Sequence, residues 1–173
     1  MSKNKNIKEK LKKLFGEIMD IKLEKVSIDK KDILYKLLQY SLFEESATDL
    51  NELNEYAEFE YKWFDSYFIE DDRYAYFIKS DEKLLGFVMV NTYLENKKDI
   101  EGHSIAEFMV IPKYRRKNIG KKVATEVFEK FKGYWEVKPS LGSNQAYMFW
   151  ENVIKEYTNN NYKFENDIFV FNN

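Results

Sequence analysis

The stretch VIPKYRRKNIGKKVA, residues 110–124, decides how the rest of the chain is read. An apolar run ends at Pro112, which lacks the N–H a sheet ladder needs, so a strand stops there. A loop containing Arg115, Arg116 and Lys117 follows. Asn118, Ile119 and Gly120 then open a helix whose apolar face carries Val123, Val127, Phe128 and Phe131. A strand, a basic loop and a helix start in this order suit a phosphate. The first amides of a helix have no partner within it, the helix dipole favours an anion, and a glycine permits close approach. Arg115, Arg116, Lys117 and Lys121 add positive charge. A plain strand–turn–helix with a solvated basic loop is the other reading of the same residues. The glycine spacing excludes a Walker loop and a dinucleotide fingerprint.

Outward from this segment the chain alternates strands and helices. Ile7, Leu11, Leu14, Phe15 and Ile18 predict an amphipathic helix over 6–19, and IKLEKVSI (21–28) alternates as a strand. Asp29 is placed to cap a helix with Ile33, Leu34, Leu37, Leu38 and Leu42 inward. A second helix is expected over 50–68, with Leu53, Tyr56, Ala57, Trp63, Phe64 and Tyr67 inward and glutamates outward. RYAYFIK (73–79) and KLLGFVMVNTY (83–93) form a hairpin across Ser80, Asp81 and Glu82. After a charged loop comes the strand 103–112, then the basic loop and its helix, ended by Gly133. YWEVKP (134–139) is a strand, 143–157 a helix, and YKFE and DIFVF the last two strands. The expectation is one α+β domain over 21–173, preceded by the N-terminal amphipathic helix in 1–20. Its sheet is mixed, with helices on both faces.

Composition limits the function. The chain has 173 residues, 17% of them aromatic, which supports a packed core and not a disordered tail. There is no cysteine and one histidine, His103. That excludes a disulfide framework, a Cys nucleophile and a thiolate or multi-histidine zinc site, so no metal is expected. No apolar stretch spans a bilayer and the N-terminus has no signal core. A cytoplasmic protein with neither a membrane nor a nucleic-acid partner is expected. The net charge of −2 hides an uneven distribution. Residues 44–72 are rich in Asp and Glu with Lys62 their lone base, while Lys3–Lys13 and Lys113–Lys122 are basic. Separate acidic and basic faces suit one cationic and one anionic ligand; solvated helix surface is the plainer alternative.

RRKNIG (115–120) resembles the acyl-CoA-binding signature of the GCN5-related N-acetyltransferases, the GNAT superfamily, whose pattern is Gln/Arg-x-x-Gly-x-Gly/Ala. Arg115 holds the first position and Gly120 the last. Asn118 stands where the pattern has its first Gly, and Asn best tolerates a left-handed backbone after Gly. The element order from about 20 to 171 agrees with the superfamily, and AYMFW (146–150) falls on the helix after the next strand. The resemblance implies a GNAT-like, mostly antiparallel sheet with a splayed gap between its fourth and fifth strands. It also implies acetyl-CoA as cosubstrate, with the arm pairing to Phe108 and Val110 and the pyrophosphate on the amides from Arg116 through Lys117, Asn118, Ile119 and Gly120 to Lys121. Asn144 is the nearest match to the family's arm-contacting Asn, one place out of register.

Acetyl transfer needs a base, an oxyanion donor and a leaving thiolate. Glu107 is the candidate base; strand alternation with Phe108 leaves open whether it faces the cleft. The Val110 amide is the candidate oxyanion donor. His103 begins the same strand and is a second titratable candidate. Where many family members place an acidic Tyr, this chain has Trp150, which cannot protonate a thiolate. Glu44, Glu45 and Tyr56 fall where the family walls its acceptor, and carboxylates beside rings suit a cationic amine. The leading expectation is therefore an N-acetyltransferase for a small cationic amine, as monomer or homodimer. The competing expectation is a catalytically weak CoA-binding regulatory or partner-binding domain.

Overall fold

The computed structural model describes residues 19–173, and the helix expected over 6–19 lies, apart from Met19, outside them. Its centre is a seven-stranded sheet: β1 (Lys22–Lys25), β2 (Arg73–Ser80), β3 (Lys83–Asn91), β4 (Gly102–Val110), β5 (Tyr134–Val137), β6 (Lys163–Glu165) and β7 (Ile168–Asn172). The strand order is β1-β2-β3-β4-β5-β7-β6. Every neighbouring pair is antiparallel except β4 and β5, which run parallel.

Three helices cover the sheet. α1 (Lys31–Glu45) lays Leu34, Leu37, Leu38 and Leu42 on one face, against Phe77, Phe87, Met89 and Met109. α2 (Ile119–Lys130) and α3 (Asn144–Tyr157) cover the other face. There Val123, Val127, Phe128, Trp150 and Ile154 meet Ile78, Val88, Val90, Trp135 and Phe169. Phe128 is wholly buried and meets the rings of Trp135 and Phe171 with centroids 5.0 Å away. Its truncation to Ala would cost about 3–5 kcal/mol. β2 and β3 are apolar on both sides because both of their faces are covered.

Two features of β4 position the site. β5 pairs with it only from Gly102↔Tyr134 to Ile105↔Val137, while β3 follows it up to Val110. The upper half of β4 therefore has one open edge, the expected gap. The β3–β4 register also slips: Met89 faces Glu107 but Val90 faces Ile105, leaving Ala106 as an extra residue. This bulge interrupts the alternation. Ala106 and Met109 pack in the core beneath α1, whereas Ile105 and Val110 belong to the core beneath α2 and α3. Gly86 allows the close approach of the two strands, since a Cβ there would lie 2.0 Å from the Met109 carbonyl oxygen.

The helix expected over 50–68 does not form. That segment is an irregular strap with one bridge, Leu53↔Phe59, ending in a 3-10 turn at Asp65–Phe68. Asn54 Oδ1 accepts the main-chain N–H groups of Tyr56 and Glu58, both at 3.0 Å. Gln39 of α1 grips Phe59 twice, donating to its carbonyl at 2.9 Å and accepting from its N–H at 2.8 Å. Side chains thus take the bonds a helix would have used. Leu53, Tyr56 and Trp63, expected inward, are exposed, while Phe64 and Tyr67 are buried. Asp29 does not cap α1 either: it lies in a 3-10 turn, Ile28–Lys30, and α1 starts without a side-chain cap.

Candidate functional site

The basic loop turns on two left-handed residues, Arg116 (φ 60°) and Asn118 (φ 62°). Asn118 immediately precedes α2, as its tolerance of that conformation leads one to expect. The first main-chain bond of the helix runs from Lys122 N–H to the Asn118 carbonyl at 3.2 Å. The amides of Ile119, Gly120 and Lys121 precede that bond and point out of the helix start. Arg116, Asn118, Ile119, Gly120 and Lys121 line a cleft of about 810 Å³ together with Phe108, Val110, Ser143, Phe149 and Trp150. Ile111 N–H is bonded to the Leu85 carbonyl on the β3 side at 2.8 Å. Main-chain groups alternate along a strand, so those of Val110 and Phe108 point to the open edge. The Val110 carbonyl there accepts from Arg115 Nε at 2.6 Å.

The glycine at 120 has a further reason. A Cβ at that position would come within 3.0 Å of the Phe149 ring. Phe149 stacks on Phe108 at 5.7 Å, and Trp150 meets Phe108 edge-on at 5.0 Å. These three rings line the open edge of β4, with Trp150 buried. A free main-chain edge, an apolar wall and a basic helix start together fit a long, amide-bearing ligand with a phosphate end.

A second cleft of about 670 Å³ meets the first, sharing Glu45, Phe108, Ser140 and Trp150 with it. Glu107 lines this second cleft with Asn91, Ser104 and Ala106. Burial pushes the Glu107 carboxyl up to about 8; the Glu45 charge adds to this, and a hydrogen bond from Tyr61 opposes it. Glu45 is also raised, by burial first and then by Asp49, while the hydroxyls of Ser140 and Ser41 oppose the shift. Burial raises Tyr61 strongly, and the Glu107 charge adds to it. The second cleft therefore holds two carboxyls, Glu107 and Glu45, that burial pushes above the usual carboxylate range.

Other expected residues lie elsewhere. His103 packs between Phe131 and Trp135, with ring centroids 5.2 and 5.4 Å away, and lines neither cleft. Burial lowers its pKa, and its Nδ1 has no partner among the described residues. Tyr56 is exposed on the strap and lines neither cleft. Glu44 lines the first cleft, where it pairs with Arg115 Nη2 at 2.5 Å, and does not line the second. Lys117 lies over the Tyr114 ring at 5.8 Å, and Asn144 begins α3 outside the lining; Ser143 and Asn152 of that region line it instead.

Sequence reasoning passed over Asn91, Ser140, Phe149 and Glu136. Glu136 is 3% exposed and accepts the N–H groups of Glu95, Asn96 and Lys97 at 2.6–3.2 Å. It thereby holds the loop that walls the second cleft. An acidic residue inside the otherwise apolar strand YWEV was the signal for it.

A sequence model of the acetyltransferase (GNAT) family matches residues 38–148. Similar folds occur in the PaiA N-acetyltransferase of Thermoplasma acidophilum in complex with coenzyme A (20% identity, 88% of this chain and 97% of that one, TM-score 0.54). An acetyltransferase from Thermus thermophilus aligns over 88% of this chain and 95% of its own at 11% identity, with TM-score 0.57. The aminoglycoside acetyltransferase meta-AAC0020 from an uncultured soil metagenomic sample, in complex with sisomicin, aligns over 77% and 86% at 17% identity and TM-score 0.53. These likenesses are of fold. No curated protein matches the sequence.

Proposed function

Because the chain belongs to the acetyltransferase (GNAT) family, we propose that it moves the acetyl group of acetyl-CoA directly to the nitrogen of a small cationic amine, at the junction of the two clefts. The single observation that carries this reading is the placement of Glu107. The β4 bulge and the end of β5 put the Glu107 carboxyl, pushed up to about 8 by burial, in the second cleft, one residue from Phe108 at the open edge.

Acetyl-CoA supplies an activated acyl thioester. Phe108 and Val110 offer main-chain groups to its arm, and the amides of Ile119, Gly120 and Lys121 take the phosphates, with Arg116 beside them. Val110 N–H stands ready to polarise the thioester carbonyl as charge develops on its oxygen. The acceptor enters past Glu45 and Glu107 as an ammonium. Its charge favours the ionised carboxylates, reversing part of what burial does to them. Glu107 takes one proton from the ammonium; the N–C bond forms, the C–S bond breaks, and the second proton of the nitrogen passes to the departing sulfur, giving the amide and free CoA thiol. A thiol ionises near pH 8.5, so the CoA thiolate leaves without a side-chain acid, in keeping with Trp150 in place of Tyr.

The test is a thiol-release assay with acetyl-CoA and a panel of amines, at low and high salt, with the acetylated amine identified by mass. Turnover on diamines or other cations, weakening as salt rises, supports the reading. A preference for neutral or acidic acceptors contradicts it. Trp150 also favours a second reading, a domain that binds CoA without turnover; CoA binding with no thiol release on any amine would select it.

A further inference from the structure

Ser104 and Glu107 stand on the same face of β4, which strict alternation would forbid for residues three apart. The extra residue Ala106 brings them together: Ser104 faces Asn91 and Glu107 faces Met89, and those two partners lie two residues apart on β3. The two positions are therefore separated by about 7 Å along the strand. Both residues line the second cleft, as does Asn91. The hydroxyl of Ser104 is oriented. Asn91 Oδ1 accepts Ser104 Oγ–H at 2.7 Å and the Tyr93 main-chain N–H at 2.9 Å. A main-chain N–H can only donate, which fixes the amide oxygen on that side; the amide nitrogen donates to Tyr67 Oη at 3.3 Å on the other. The Ser104 hydrogen is thus committed to Asn91, and its oxygen has only lone pairs to offer. Other polar side chains of the cleft are engaged within the protein: Glu136 accepts three main-chain N–H groups, and Glu95 pairs with Lys138 at 2.8 Å.

We propose that Ser104 is a specificity-determining residue of the acceptor site: it accepts a hydrogen bond from a second N–H or O–H donor on the acceptor, about 7 Å from the nitrogen that reacts beside Glu107. The inference rests on the reading of the second cleft as the acceptor's place, and narrows the class of amine it takes. An acceptor ending in a methyl group would strip water from the Ser104 oxygen and return no hydrogen bond, a cost that discriminates between ligands otherwise alike. A carbonyl or carboxylate end would set lone pairs against lone pairs. The class that fits is a diamine or an amino alcohol with its two polar ends joined by a short chain. Asn91 acts through Ser104, as a positioning residue, by holding the hydroxyl hydrogen to itself.

The test compares putrescine, butylamine and aminobutanol, with its hydroxyl at the far end of the same chain, in the thiol-release assay with wild type and Ser104→Ala. Binding of the same three to the full-length protein, followed by calorimetry, is read alongside. The preference for putrescine over butylamine, as a ratio of kcat/KM values or of Kd values, is expected to fall about tenfold in Ser104→Ala, the scale of a hydrogen bond to a charged group. An equal fall for aminobutanol assigns an O–H donor as well, and a fall confined to putrescine assigns an ammonium; either supports the proposal. Asn91→Leu, which frees the hydroxyl to turn its hydrogen into the cleft, is expected to lower the same ratio, and serves also if Ser104→Ala folds poorly. Ratios unchanged in both variants overturn the proposal. No thiol release with any amine, together with a Kd ratio that falls in Ser104→Ala, would instead defeat acetyl transfer and leave Ser104 as the reader of the second donor.

Discussion

Arg115 donates through Nε to the Val110 carbonyl at 2.6 Å, tying the first arginine of the basic loop back onto the strand it follows. Its Nη2 meets Glu44 Oε2 at 2.5 Å, so one guanidinium joins α1, β4 and the loop at the rim of the first cleft. Arg115 and Glu44 both line the first cleft and neither lines the second.

The pair sets up a competition that can be measured. Glu44 is an anion lining a cleft proposed to take phosphates, and it holds one of the cations there. Glu44→Gln is expected to tighten CoA binding by about 2–5-fold at low salt, in line with the modest worth of a partly exposed pair. Calorimetry checks this. Weaker binding would mean that Arg115 needs Glu44 to be held in place.

At the helix start, Gly120→Glu is expected to abolish measurable CoA binding, a loss of at least about tenfold. The side chain would displace the Phe149 ring and put a carboxylate at the phosphate end of the cleft. The fold should survive, because Phe149 lies at the surface of its cluster and can swing out. Circular dichroism and calorimetry together test this. Asn118→Gly should retain binding, since φ of 62° costs glycine nothing, whereas Asn118→Val should weaken both binding and stability.

The pH dependence of stability follows from Glu107. Its folded pKa of about 8 lies above its ordinary value of 4.5, so the folded state holds the proton more tightly. Stability from this group is complete below about pH 4.5 and is lost as pH rises through 8. Thermal melts should therefore fall between pH 5 and 8, and Glu107→Gln should flatten that slope. His103 acts oppositely: its lowered pKa penalises folding as pH drops below 6.5. A wild-type slope retained in Glu107→Gln would contradict the assignment.

Most of the framework was legible because its signals are local. Pro112, the basic loop and the apolar period of 123–131 place β4, the turn and α2 where they occur, and Asn118 adopts the left-handed conformation its side chain tolerates. The strap was not legible, since capture of its amides by Asn54 and the grip of Gln39 on Phe59 depend on pairings that periodicity does not register. The face of Glu107 was equally hidden. Strict alternation offers two choices, and the Ala106 bulge that decides between them is a property of β3–β4 registry, not of either strand alone. Glu136 was visible as a charge in an apolar strand, but its three amide donors come from a loop some forty residues earlier.

The proposed function requires the open edge of β4 to receive the arm of acetyl-CoA with its sulfur facing Glu107. A crystal structure with CoA bound measures this directly. The expected structure has the arm along Phe108–Val110, the diphosphate on the amides of Ile119–Lys121, and the thiol at the junction with the second cleft. Density for CoA elsewhere, or none along this edge at saturating CoA, would contradict it.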